Sequence, residues 1–307
     1  MADDRSAATS LDRDLADLRS EVTRLRAENA RLRRLLELTP EQAKPSRPAQ
    51  TAIFDAAPGG VHAGSPPDAK VAFYASLFGA RTDAYAIRWD NARSGKGGWM
   101  PAVRGGWRRG LRPDQREYLR LTPEVITEHL SGDAEIGLYP MLDGDRCHWL
   151  AADFDGSAAM LDALAYIKAA RAVDAPVALE VSRSGTGAHA WLFFAAPVLA
   201  ATARQIGTCL LREAIALRGT MNLSSYDRLF PSQDVLQAGG LGNLIAAPLS
   251  GKARRRGTTV FLDLATLEPH DDQWFYLSTL GRLSPRERPT SSPVGSVRCK
   301  SVQMSTD

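Results

Sequence analysis

Asp153-Phe154-Asp155 closes the apolar run Cys147–Ala152 and puts two carboxylates where a strand would end. In an extended strand residues i and i+2 share a face, so Asp153 and Asp155 project the same way, about 7 Å apart along the chain. Two such carboxylates repel one another unless a cation lies between them. A divalent ion held by one or two carboxylates plus substrate phosphates is the arrangement that polymerase-type chemistry uses. A second stretch, Ser182-Arg-Ser-Gly-Thr-Gly-Ala-His189, enters the apolar run Trp191–Phe194. It reads as strand, glycine turn and strand, and it brings an imidazole and backbone N–H groups to a place where a phosphate could sit. Downstream, Asp263 on the apolar strand Thr259–Leu264 completes a candidate metal site, and the basic turn Lys252-Ala-Arg254-Arg255-Arg256-Gly precedes it. Each feature alone has a plainer reading, because an Asp pair at a strand end is often a solvated turn and a lone His is commonly a core residue.

Alternating strands and helices would position these groups. Trp149–Phe154 reads as a strand, Ala158–Ala172 as a helix, Val177–Ser182 and Ala188–Phe194 as strands, and Ala200–Leu217 as a long helix, which is an α/β (α+β) pattern. Upstream, the pattern predicts a helix over Val71–Phe78, an extended segment Ala84–Trp89 and a helix near Pro123–Leu130. Between them, Arg104-Gly-Gly-Trp107-Arg108-Arg109 mixes cations with an aromatic. Such a stretch could grip phosphates while Trp107 stacks on a base, although a solvated basic loop is the plainer reading. Ser225–Asp234 packs polar side chains around Phe230-Pro231 and suits neither a core nor a solvated loop.

Before this body, Leu11, Leu15, Leu18, Val22, Leu25, Leu32 and Leu36 step by four and three, with Asn29 at an a position. A heptad pattern with one buried Asn favours a parallel dimer. Its g to e′ pairs would be Asp14 with Arg19, Glu21 with Arg26 and Glu28 with Arg33, all of opposite sign. The alternative is a solvated amphipathic helix packing on its own domain. The organisation expected is a parallel dimeric coiled coil over 1–39, a Pro/Ala/Gly-rich flexible linker over 40–68, a folded body over 69–283 and a disordered polar tail over 284–307.

With 307 residues, 44% of them hydrophobic, the chain can bury a substantial core. No apolar run approaches the roughly 20 residues of a membrane span, and the N-terminus lacks the apolar core of a signal peptide, so a cytoplasmic location is expected. Cys147, Cys209 and Cys299 show no CxxC spacing; no zinc is expected, and any metal has oxygen ligands. The net charge of +3 does not by itself imply a nucleic-acid partner.

The ordered set, Asp-x-Asp, then Ser-x-Ser-Gly-x-Gly-x-His, then a lone Asp on a later strand, resembles the three motifs of the archaeo-eukaryotic primase superfamily. The match narrows with Ser225–Asp234, Gly242-Asn-Leu-Ile-Ala246 followed by Pro248-Leu249, Val260-Phe-Leu-Asp263 and Asp272-Gln-Trp274. These resemble the primase domain of TOTE conflict system proteins. Leu77-Phe-Gly-Ala-Arg81, Arg88-Trp89, Leu121-Thr-Pro and His129-Leu130 extend the likeness over nearly all of 70–283.

The resemblance implies a primase-polymerase fold, with an N-terminal α/β lobe (69–145) and a catalytic lobe like an RNA-recognition (RRM-like) sheet (146–283). It implies a two-metal Mg²⁺ or Mn²⁺ site at Asp153, Asp155 and Asp263, with nucleotide contacts from Ser182, Ser184, His189, Arg228, Asp234 and Lys252. Nucleic-acid contacts are expected from Trp107, Arg108, Arg109, Arg254 and Arg255. The expected activity is metal-dependent, template-directed transfer of NTP or dNTP to a 3′-hydroxyl on single-stranded DNA, in a TOTE-like defence or conflict system. Two departures limit the transfer: Ala102–Tyr118 is cysteine-free where a zinc ribbon would lie, and no GxxxxGK[ST] helicase motif is present, so a helicase or nuclease partner would be separate or fused elsewhere. The alternatives are a degenerate primase-like module that binds nucleic acid and recruits partners, and a two-metal nuclease.

Overall fold

The structure, a computed structural model, describes residues 16, 19, 20, 22–24, 26–28, 30, 31, 60–91, 93, 95–108, 112, 115–219, 223–285 and 304–306, with Pro285 and 304–306 described by backbone alone. They belong to two compact units, one of 1–51 with 263–268 and one of 52–262 with 269–307. In the first, the described positions between Ala16 and Arg31 are helical, and Arg31 Nε lies 3.0 Å from Glu28 Oε2 one turn away. Apart from Val22, the heptad residues of the expected zipper lie outside the described residues, as does 40–59 of the expected linker.

The second unit opens with α1 (Pro67–Leu77), then β1 (Ala86–Asn91), β2 (Lys96–Pro101), α2 (Pro123–Ser131) and β3 (Ile136–Leu138). β1 pairs antiparallel with both β2 and β3. β2 lies in a stretch the apolar pattern did not mark, because Gly97 and Gly98 replace side chains at its start. A Cβ on Gly97 would meet the ends of the Arg88 and Asp90 side chains, which would have to shift to make room. α2 ends at Gly132 in the left-handed region (φ 99°), where its N–H reaches the Glu128 carbonyl, the usual glycine stop.

The main sheet is built on β4 (Arg146–Phe154), whose centre, Trp149–Ala152, is buried throughout. After β4 come α3 (Ala159–Arg171), β5 (Ala178–Val181), β6 (Ala188–Leu199), α4 (Ala200–Arg218) and β7 (Tyr226–Phe230), a β-α-β-β-α-β order. β4 lies between β6 and β7, β5 pairs with the far edge of β6, and β9 (Phe261–Leu262) pairs with β5, all antiparallel. β4, α3, β5 and α4 begin and end within a few residues of the sequence expectations, since long apolar runs fix their type, whereas β6 runs on past the expected Phe194 to Leu199 and β7 had no expected counterpart. β8 (Ile245–Ala246) joins β3 in the first sheet, and α5 (Gly251–Arg254) and α6 (Gln273–Ser278) follow. β10 (Leu283–Pro285) runs parallel to β6 at Phe194 and pairs with β11 (Met304–Thr306); the rest of the expected tail lies outside the described residues.

Alternation gives the sheet two distinct faces. Leu150, Ala152 and Phe154 point toward α3 and α4: Phe154 meets Tyr166 of α3, and Gly207 of α4 approaches so closely that a Cβ there would lie 3.1 Å from Leu150 and 2.8 Å from Leu229. The opposite face carries Trp149, Trp191 and Phe193, with Phe78 edge-on at 5.4 Å to both Trp191 and Phe193. These rings are buried in one cluster with residues of α1 and the first sheet, which stabilises the unit. His129 of α2 fastens the same core: its buried ring donates from Nε2 to the Pro248 carbonyl (2.9 Å) and accepts at Nδ1 from the Ile136 N–H (3.4 Å). Burial pushes its pKa down to about 4, so the ring stays neutral. Among the described residues, no helix is long and apolar enough to cross a membrane.

Candidate metal centre

Strand register sets four polar side chains in one row across the sheet. Glu180 of β5 is opposite His189 of β6, His189 is opposite Asp153 of β4, and Asp153 is opposite Arg228 of β7. Asp155 follows one residue past β4, where its N–H donates to the Ser225 carbonyl at 2.7 Å. The β4–β7 register then slips, with Asp153 pairing Arg228 and Phe154 pairing Tyr226, so Asp227 is an extra residue on β7. In a regular ladder Asp227 would face away from Arg228, and a bulge is the device that re-aims such a side chain. Its carboxylate joins those of Asp153 and Asp155, the three oxygens lying within 4.8 Å of one another.

Charge and burial shape this group. Partial burial, then the neighbouring carboxylates of Asp153 and Asp227, hold the Asp155 carboxyl above its usual range, with His189 and Arg228 working the other way. His189 Nδ1 lies 2.9 Å from Glu180 Oε2 and Nε2 lies 3.3 Å from Asp153 Oδ1. Burial disfavours its charged form, but the Glu180 charge and the bonds to both carboxylates outweigh it and push the imidazole up to about 10. Glu180 is fully buried, and its Oε2 also accepts from Trp191 Nε1 at 2.6 Å. Burial raises the Glu180 carboxyl while the His189 charge opposes it. Because His189 lies between two carboxylates, we assign the proton to the imidazole.

The turn between β5 and β6 closes one side. A Cβ on Gly187 would lie 2.7 Å from both Asp155 Oδ1 and Ser182 Oγ and 2.8 Å from the Phe154 carbonyl, so only glycine lets this backbone lie against the carboxylate. Ser182, Ser184 and Thr186 form a chain of hydroxyls at 2.9 and 3.1 Å. Arg183 points to the first sheet, meeting Glu135 at 2.8 Å, and so anchors the turn from outside.

The structure thus gathers Asp153, Asp155, His189 and Arg228, with Ser182 and Ser184 in the adjoining turn. Other expected site residues have different partners. Asp234 pairs with Arg204 of α4 at 2.9 Å, and Lys252 is exposed on α5. Arg254 and Arg255 donate to the Leu130 and Ser131 carbonyls at 3.1 and 3.2 Å, closing the C-terminus of α2. Trp107 donates from Nε1 to the Pro101 carbonyl at 2.6 Å, with the Arg116 guanidinium 4.7 Å over its ring. Arg108 is exposed, and Arg109 lies outside the described residues. Asp263 belongs to the other compact unit, where its Oδ1 accepts from the Ala265 N–H at 2.7 Å. Sequence reasoning missed Asp227 and Glu180. Glu180 left a signal, as the one charge in the apolar strand Val177–Val181, whereas Asp227 depends on a bulge that local spacing does not reveal.

Three converging carboxylates without a sulfur or neutral imidazole donor suit a hard divalent cation, and their mutual repulsion is what such an ion relieves. An antiparallel sheet backed by helices, with this trio and an imidazolium at one strand end, defines a mixed α/β domain with a candidate cation centre. Residues 69–290 match the family model for the TOTE conflict system, Archaeo-Eukaryotic Primase domain, and the chain belongs to that family. No curated protein matches the chain.

Proposed function

We propose that this protein is a metal-dependent primase-polymerase that transfers NTP or dNTP to a 3′-hydroxyl under the direction of a single-stranded DNA template. The observation that carries the reading is the carboxylate trio beside a buried imidazolium in a primase-family domain. In the same reading, the strand order β7-β4-β6-β5 is the RRM-like catalytic lobe, and 69–145 is the N-terminal lobe.

Asp153, Asp155 and Asp227 would hold Mg²⁺ or Mn²⁺, with Asp263 a further candidate. When bound, the metal would activate the attacking hydroxyl and neutralise triphosphate charge. The chain's own groups do the rest. The His189 imidazolium and Arg228 offset charge on the β and γ phosphates, and the Ser182 and Ser184 hydroxyls donate to phosphate oxygens. The 3′-hydroxyl loses its proton to solvent water, its oxygen attacks the α-phosphorus, the bond from that phosphorus to the bridging oxygen breaks, and pyrophosphate leaves. Action on foreign DNA, with a helicase or nuclease as a separate or fused partner, is the biological setting we propose from the family.

The test offers purified protein single-stranded DNA, labelled NTPs or dNTPs and Mg²⁺ or Mn²⁺, with and without a primer, beside Asp153→Asn. Template-dependent product that disappears in the variant is the expected result. DNA binding without product in the wild type would instead make the domain a recruitment module.

A further inference from the structure

Asp162 is a buried carboxylate that the proposed chemistry does not use. It stands in the first turn of α3, 1% exposed, on a helix face shared with the buried Ala159, Ala163 and Tyr166. An ionised group there forfeits its hydration and persists only when paired and hydrogen-bonded. Its carboxylate reaches out of the helix. Oδ1 accepts from Nε of Arg218, in the last turn of α4, at 2.9 Å. Oδ2 accepts from Ser225, the residue just before β7, at 2.7 Å from Oγ and 3.3 Å from the N–H.

Ser225 is buried as well, and each of its polar groups is committed, the N–H and Oγ to Asp162 and the carbonyl to the Asp155 N–H at 2.7 Å. A ring closes in this way. From Asp155 the chain runs through Gly156 into α3, Asp162 returns to Ser225, and Ser225 takes the amide of Asp155. Two residues beyond Ser225 stands Asp227, at the bulge that turns it toward the other carboxylates. One buried group thus fixes the backbone points from which two of the three acidic side chains start. A buried ion pair is weak evidence for stability, because apolar side chains of the same volume often serve as well. What this one supplies is geometry.

We propose that Asp162 is a positioning residue for the cation centre, acting through Ser225 on Asp155 and Asp227. The inference rests on the metal reading of the trio and adds what holds two of its members in place; Asp162 itself touches neither ion nor substrate. Without its carboxylate, Ser225 keeps two buried donors in need of acceptors, and Asp155 and Asp227 lose their common anchor. Groups that hold metal ligands from behind act in this way, by narrowing the geometries that the ligands sample.

Mn²⁺ titration of the metal-free chain, followed by electron paramagnetic resonance of the free ion, measures the centre. Amide hydrogen exchange resolved to Asp155 measures its anchor with no metal present. Wild type is compared with Ser225→Ala, Asp162→Ala, the double variant and Ile206→Val, a core substitution in α4 outside the ring; circular dichroism verifies folding. Ser225→Ala and Asp162→Ala should each raise the Mn²⁺ Kd by about 10–100-fold and speed exchange at Asp155. The double variant should lose no more than either single one, and Ile206→Val should show neither effect. Ser225→Ala keeps the Arg218 pair and decides the matter alone should Asp162→Ala fail to fold. Wild-type affinity in a folded Ser225→Ala, or an equal loss in Ile206→Val, overturns the proposal. Wild type that binds no Mn²⁺, or Asp153→Asn that binds it unchanged, overturns the metal reading instead; exchange at Asp155 then still supports the anchor if the two variants speed it and overturns it if they do not.

Discussion

Asp227 and Asp155 carry the sharpest consequences for single residues. If Asp227 is the third ligand, Asp227→Asn should reduce synthesis by about 100-fold or more with the fold intact. Steady-state primer extension beside Asp263→Asn decides between the two, and near-normal turnover in the Asp227 variant with a dead Asp263 variant would return the role to Asp263. Asp155 sits above its usual carboxyl range because of burial and its neighbours' charge. A carboxyl raised in the folded state contributes stability that is fully present below its unfolded pKa and is lost as pH rises through the folded value. In metal-free protein near pH 7, Asp155→Asn should therefore raise Tm, and the gain should vanish below about pH 4. Divalent ions should raise the Tm of wild type more than that of the variant, which differential scanning calorimetry would show.

Elements were legible where chemistry is local. The long apolar runs from Trp149 to Leu217 revealed strands and helices, and Asp153, Asp155 and His189 were visible because i, i+2 spacing and a glycine turn are properties of one segment. β2 and β7 were hidden because paired glycines and a polar Tyr226-Asp227-Arg228 start mask strand character, and the row from Glu180 to Arg228 exists only through cross-strand register. The β5–β6 turn offers a direct test. Gly187→Ala places a methyl against the Phe154 carbonyl, the Ser182 hydroxyl and the Asp155 carboxylate, so we expect a loss of about 1–3 kcal/mol in urea unfolding and weaker extension activity. At α2, burial keeps the His129 ring neutral in the fold, its pKa pushed down to about 4 from an ordinary 6.5. The unfolded chain takes up a proton that the native state refuses, so stability should decline as pH falls through that interval, and His129→Gln should flatten this part of the urea-midpoint profile.

At the scale of the whole molecule, the heptads of the N-terminal segment remain the basis for a proposed homodimer. Leu18→Lys with Leu25→Lys should halve the mass measured by light scattering; an unchanged mass would return the segment to an amphipathic helix serving its own chain. The position of β7 has a different consequence. It ends the strand order of its sheet, so one side of Tyr226–Phe230 has no ladder partner among the described residues, while β4 is paired on both sides. Edge strands fray at lower free energy than central ones. A local opening of this edge therefore moves Asp227 while Asp153 stays held in the ladder with β6. In amide hydrogen exchange β7 should lose protection well before β4, and adding Mn²⁺ should slow β7 selectively. The acidic centre is then a clasp with one hinged arm, and the ion that fills it also tightens the edge of the sheet.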